Sequence, residues 1–118
     1  ANEAPIINGD GSQAYDFIDV RDVARCNLLA LKSEATDEFY NVGTGVQTSI
    51  RQLCDTILDL KESDLEVTYK PYSEDDARRM VQNRIGCPEK AKRELDFEYE
   101  IELKQGLQDL IAWREANT

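Results

Sequence analysis

Between residues 38 and 69 a β-prone run, a glycine turn, a capped amphipathic helix and a second β-prone run follow one another. That succession commits the chain to an α/β fold. Glu38-Phe39-Tyr40-Asn41-Val42 reads as a strand stopped by Gly43-Thr44-Gly45. Ser49 and Gln52 then stand at capping-box spacing, with the serine closing the helix start and the glutamine reaching back to it. Behind them Ile50, Leu53, Cys54, Ile57 and Leu58 make an apolar stripe, with Arg51, Asp55, Asp59 and Glu62 on the wet side. Leu65-Glu66-Val67-Thr68-Tyr69 alternates as a half-buried strand does, and Pro71 ends it.

The flanking sequence extends the pattern. Pro5-Ile6-Ile7 runs into the turn Gly9-Asp10-Gly11, and Tyr15-Asp16-Phe17-Ile18 is short and β-prone. A helix over about 20–33 follows, capped by Asp19 or Asp22. Val20, Val23, Ala24, Leu28 and Leu31 share one face of it, and Cys26, Leu29 and Ala30 widen that face. Such a helix expects burial on more than one side. Residues 72–83 show charge without period, and 81–85 suit a short strand. Pro88 opens a helix to about Leu95. A last helix over about 102–115 offers Leu103, Leu107, Leu110 and Ile111 to a core, with Trp113 at its edge. The expected sheet is small and mixed.

Composition narrows the chemistry. A chain of 118 residues makes one domain or one piece of a larger one. Its 24 acidic against 14 basic side chains give a net charge of −10. An acidic surface repels phosphate backbones and anionic lipid, so neither nucleic acid nor membrane is an expected partner. With no histidine, every mechanism that needs an imidazole is excluded. Cys26, Cys54 and Cys87 are odd in number and match no metal or disulfide spacing, which fits a reducing cytoplasm. No apolar run reaches membrane-spanning length and no signal-peptide pattern opens the chain. The expected location is cytoplasmic.

Few features suggest chemistry. A dinucleotide fingerprint at the Gly43-Thr44-Gly45 turn needs a third glycine where Thr48 stands, and an acid where Lys70 stands. The turn reads as a backbone device, not a cofactor loop. Arg78 and Arg79 lie together among carboxylates. They either grip an anion through paired charge-assisted hydrogen bonds or form surface ion pairs with Glu74 or Asp75. Asp16 and Asp19 read as capping groups rather than an acid–base pair, being three apart along a strand. Cys26 and Cys54 fall on helix core faces, and no cysteine has a base to activate it.

Taken in order, GDGSQAYDFIDVRDVA at 9–24, FYNVGTGVQTS at 39–49 and PEKAKRELDFEYEIELKQGLQDLIAW at 88–113 make a longer pattern. It resembles the C-terminal part of the NAD-dependent epimerase/dehydratase family, the extended short-chain dehydrogenases that act on nucleotide sugars. The flavour is that of UDP-glucose 4-epimerase-like members. The resemblance covers nearly the whole chain and implies an α/β, Rossmann-type enzyme of which residues 1–118 are a single C-terminal, sugar-nucleotide-binding fragment. The glycine-rich NAD loop and the Tyr-x-x-x-Lys pair of the family would precede it. Tyr15, Tyr40, Tyr69, Tyr72 and Tyr99 all lack a lysine four residues on. By that resemblance NAD belongs to the full-length enzyme, this chain alone binds none, and it carries no catalytic residue.

The resemblance also implies the partner, a nucleotide sugar, most simply a UDP-sugar. Arg78, with Arg79 as the alternative, matches the family arginine that contacts the diphosphate and ribose. Tyr15 stands where relatives often place a second, phosphate-contacting arginine, so that cation is lost or replaced by a hydroxyl. Cys87 stands where relatives often have Asp. Residues 20–45 would pack on the absent NAD-binding portion, leaving helix 20–33 with an exposed apolar face through which the isolated chain self-associates. Two other readings are a stand-alone nucleotide-sugar-binding module and a structural interaction domain without chemistry.

Overall fold

The computed structural model describes residues 3–118, so the first two positions of the expected 1–118 fragment lie outside it. Contacts divide the chain into two compact units, each assembled from two separate stretches of sequence.

The first unit contains residues 3–15 and 47–84. Strand β1 (Ile6–Asn8) pairs in parallel with a strand at Thr68–Lys70, Ile7 lying opposite Tyr69. Only the end of the expected strand 65–69 enters the ladder, because β1 offers three residues of partner. The chain then turns at Gly9, whose φ of +86° suits glycine and whose N–H donates to the Lys70 carbonyl at 2.7 Å. Asp10 accepts from the amide and hydroxyl of Ser12, completing the turn.

Strand β2 (Ala14–Tyr15) is the centre of a second sheet. It pairs antiparallel with β3 (Thr48–Ser49) and in parallel with a strand at Asn83–Arg84. Helix α2 (Ile50–Leu60) starts with both bonds of the expected capping box: Gln52 N–H donates to Ser49 Oγ, and Ser49 N–H donates to Gln52 Oε1 at 2.8 Å. With Thr68–Lys70 as β4, the charged stretch that follows contains a helix α3 (Glu74–Arg79) capped by Ser73. No period betrays it, since it buries nothing. Glu74, Asp75 and Asp76 in its first turn and Arg78 and Arg79 in its last complement the helix dipole. Asn83–Arg84 is β5.

The second unit contains residues 16–46 and 85–118. Helix α1 (Val20–Lys32) is capped by Asp19, which accepts from Arg21 N–H at 2.9 Å. Asp22, the alternative cap, is only 1% exposed and instead accepts from the amides of Glu100 and Ile101 at 3.1 and 3.0 Å. Cys26 packs with Ala91, Leu95 and Phe97 into the core, against Ile18, Leu29, Tyr40 and Val42. Ala91 and Leu95 come from α4 (Glu89–Leu95), whose end at Asp96 is left-handed and returns Phe97 to the core. Helix α5 (Leu103–Ala116) half-buries Leu103, Leu107 and Ile111, but leaves Leu110 and Trp113 exposed.

Helix α1 is buried on one side only, and Val20, Leu28 and Leu31 on the other are 77%, 48% and 82% exposed, the apolar face that this helix was expected to leave open in the isolated chain. One expectation meets a different outcome. Residues 38–42 form no strand: among the described residues none pairs with them, and an extended segment without a ladder partner is not a strand. Its Tyr40 and Val42 pack on the core, while Phe39 faces solvent. Among the described residues no helix is long and apolar enough to cross a membrane.

Candidate functional site

Strand β2 places Tyr15 at a cavity of about 420 Å³ in the first unit, also lined by Asn8, Tyr72, Asp76, Arg79 and Arg84. Each residue arrives by a different route. Asn8 ends β1, Arg79 ends α3, and Arg84 lies on β5 in register with Tyr15. Tyr72 sits under the Gly9 turn, where a Cβ would run into its ring. The glycine therefore serves both the turn and the wall of the cavity.

The hydroxyls of the two tyrosines differ in what they have left to give. Tyr15 donates its proton to the Val81 carbonyl at 2.9 Å, tying the segment after α3 to β2. The Tyr72 hydroxyl accepts from Gln13 Nε2 at 2.5 Å, and Gln13 also donates to the Asn8 carbonyl. Gln13 is itself buried, which fixes that geometry. Burial pushes the Tyr72 phenol above its ordinary pKa, with nearby negative groups adding to the effect. Tyr72 is therefore neutral at physiological pH, with its own proton available to a ligand.

The sequence-predicted residues separate here. Tyr15 and Arg79 meet at the cavity; Arg78 is not among its lining residues. Among the described residues neither arginine of the pair forms a surface ion pair with Glu74 or Asp75. Arg84 and Tyr72 line the cavity without any signal in the sequence that singles them out. A basic residue at the end of a short strand carries no local motif, and only its pairing with Tyr15 reveals it.

The glycine turn at 43–45, in the second unit, is already occupied. Asp16 accepts from the amides of Thr44 and Gly45 at 2.9 and 2.8 Å and from Thr44 Oγ1 at 2.6 Å. A Cβ on Gly43 would stand 2.6 Å from Asp16 Oδ2. The turn amides thus bind an anion supplied by the chain itself, consistent with its reading as a backbone device. Among the described residues no cluster of three or more Cys, Asp or Glu side chains suits a metal.

Residues 1–110 match the sequence profile of the family described as GDP-mannose 4,6 dehydratase. A Methanocaldococcus jannaschii protein described as a UDP-glucose 4-epimerase is 37% identical over 116 residues, which are 98% of this chain and 36% of that protein. The crystal structure of UDP-glucose 4-epimerase from Thermotoga maritima with UDP-glucose superposes with a TM-score of 0.86 at 33% identity, over 99% of this chain and 37% of that one. The Bordetella bronchiseptica enzyme WbmF, solved with NAD+ and UDP, gives 0.77 at 31% identity over 94% and 31%. The chain thus spans about a third of the length of the relatives it matches. The shared fold is α/β, of the Rossmann-type extended short-chain dehydrogenase class.

Proposed function

Because the chain belongs to the GDP-mannose 4,6-dehydratase family, a group of nucleotide-sugar epimerases and dehydratases, we propose that it is the C-terminal, substrate-binding part of such an enzyme. In this reading the cavity at Tyr15 receives the diphosphate of a nucleotide sugar, most simply a UDP-sugar. The supporting observation is a guanidinium, Arg79, brought beside Tyr15 and the neutral phenol of Tyr72 in a chain whose net charge is −10. A guanidinium presents parallel N–H donors that match phosphoryl oxygens, and a phenol adds one more. Arg79 takes the role for which sequence position favoured Arg78, because Arg79 lines the cavity.

Residues 20–45 pack, in the same reading, on an NAD-binding portion outside this chain. Two observations support it: the exposed stripe of Val20, Leu28 and Leu31, and the run 38–42 left without a strand partner. NAD belongs to that portion and would carry the hydride chemistry; this chain supplies the grip on the substrate and is inactive alone. Deprived of that cover, the apolar stripe draws copies of the chain together. Sedimentation over a range of concentrations checks this, and a constant monomer mass refutes it.

An amide-resolved NMR titration with UDP, repeated with NAD, tests the proposed site. Expected are UDP-induced shifts at residues 8, 15, 72, 79 and 84 and none with NAD. Dispersed spectra that move with neither ligand would remove the reading of this cavity.

A further inference from the structure

We propose that Asn8-Gly9 is a deamidation site, gated by the β1–β4 ladder, whose acidic product puts a negative charge into the cavity and weakens its hold on an anion. The effect on binding rests on the reading of the cavity given above. Of the asparagines in the chain only Asn8 is followed by glycine. Glycine hinders the reaction least, because no side chain stands beside the attacking main-chain nitrogen. Here the fold itself demands that residue: its φ is +86°, and a Cβ would run into the Tyr72 ring. The Asn8 side chain is exposed, and among the described residues its carboxamide makes no hydrogen bond.

The step consumes water alone. The Gly9 nitrogen, having given its proton to solvent base, forms a bond to the side-chain carbonyl carbon of Asn8. The carbon–nitrogen bond of the carboxamide breaks, and its nitrogen leaves with the electron pair, taking a proton to become ammonia. Water then opens the cyclic imide at either carbonyl, leaving aspartate or, with an extra methylene in the main chain, isoaspartate. In the folded chain the attacking nitrogen is engaged, because Gly9 N–H donates to the Lys70 carbonyl at 2.7 Å and Asn8 lies opposite Lys70 in the ladder. That ladder belongs to a two-stranded sheet whose β1 is 3 residues long. So short a pairing opens locally far more often than the whole molecule unfolds, and each opening frees the nitrogen. Asp10-Gly11 in the same turn is held back differently. The hydroxyl and amide of Ser12 donate to Asp10 and keep its carboxyl below the ordinary range, and an ionised carboxylate accepts a nitrogen nucleophile poorly. The product at position 8 joins a cavity lined by Arg79, Arg84 and one carboxylate, Asp76. A second carboxylate there offsets the guanidinium charge and repels phosphoryl oxygens.

Peptide mapping by mass spectrometry tests the site, following conversion of amide to acid at each asparagine while the 118-residue chain stands in mildly alkaline buffer, folded or in urea. Position 8 is expected to convert before Asn27, Asn41 and Asn83 in both states, and about tenfold or more slower folded than unfolded. Equal rates in the two states would refute the gate. A position 8 no faster than the other asparagines in urea would refute the site. Calorimetric titration with inorganic pyrophosphate reads the consequence. Asn8→Asp should weaken binding by about tenfold. The parent chain should lose affinity on standing, while Asn8→Gln, whose longer side chain cyclises far more slowly, keeps its own. An Asn8→Asp affinity within about twofold of the parent refutes the charge effect. A parent chain that binds no pyrophosphate overturns the cavity reading and the charge effect with it, whereas the mapping decides the deamidation site without any ligand.

Discussion

Replacing Asp22 by asparagine is the sharpest perturbation of the second unit, because the substitution keeps the shape and removes the charge and one acceptor. The carboxylate is 1% exposed and takes three donors: the amides of Glu100 and Ile101 at 3.1 and 3.0 Å, and Arg25 Nη2 at 3.3 Å. Oδ1 serves Glu100 and Arg25; Oδ2 serves Ile101 alone. An asparagine has one oxygen for these donors, and its NH2 must face an amide that also donates. A hydrogen bond to a charged group contributes about 1.5–3 kcal/mol, and an orphaned buried donor costs about 1–3 kcal/mol. Arg25 remains partly solvated and recovers some of its loss. The expected penalty is about 3 kcal/mol, below the upper end for a broken buried pair. With a urea slope of about 2 kcal/mol per molar, the midpoint should fall by about 1.5 M. Urea unfolding followed by circular dichroism measures that shift, and hydrogen exchange reads the amides of Glu100 and Ile101 directly. A midpoint within about 0.3 M of the parent, with both amides still protected, would refute the role given to Asp22.

Three further outcomes are expected. Thiol alkylation followed by mass spectrometry should modify Cys87, which is exposed, before Cys54 and Cys26, whose thiols are held up in pKa by burial; equal rates at Cys26 and Cys87 would contradict the core. Hydrogen bonds from Arg21 hold the carboxyls of Asp19 and Asp109 below their ordinary range, so the unfolded chain takes up these protons first on acidification. Their contribution is therefore complete above about pH 4 and lost as pH falls through the lower folded values, and Arg21→Gln should flatten the pH dependence of the urea midpoint in that window. Gly9→Ala forces a side chain into the Tyr72 ring at a φ of +86°, so it should lower stability and weaken pyrophosphate binding; unaltered binding would detach Tyr72 from the site.

Local physics made much of this fold legible. The Ser49–Gln52 pair, the choice of Asp19 or Asp22 and Pro88 each mark a helix start through neighbours a few residues away; the helices lie near those marks, and the structure selects Asp19 as the cap of α1. Helix α3 escaped because its order comes from a cap and from charge sorted along its axis, with no apolar face to give a period. Residues 38–42 had a strand's composition, but strand formation depends on a partner that composition does not contain. The site was the least visible part. Asp16 closes a turn 28 residues away, and Tyr15 meets Arg84 across 69 positions of sequence. No spacing rule reaches over such separations, whereas the adjacent pair Arg78-Arg79 drew attention although only Arg79 lines the cavity.

The two-residue strand β2 has a consequence for how fast the molecule assembles. Its partners, β3 and β5, lie some 35 and 70 positions further along the chain. Helices α1, α2 and α5 can form from neighbours, on the timescale of local contacts. The sheet that carries Tyr15 and Arg84 waits for two long loops to close before any ladder bond rewards them. Refolding from urea should therefore show helical signal returning first and ligand-binding competence later, the cavity being the last feature the chain acquires.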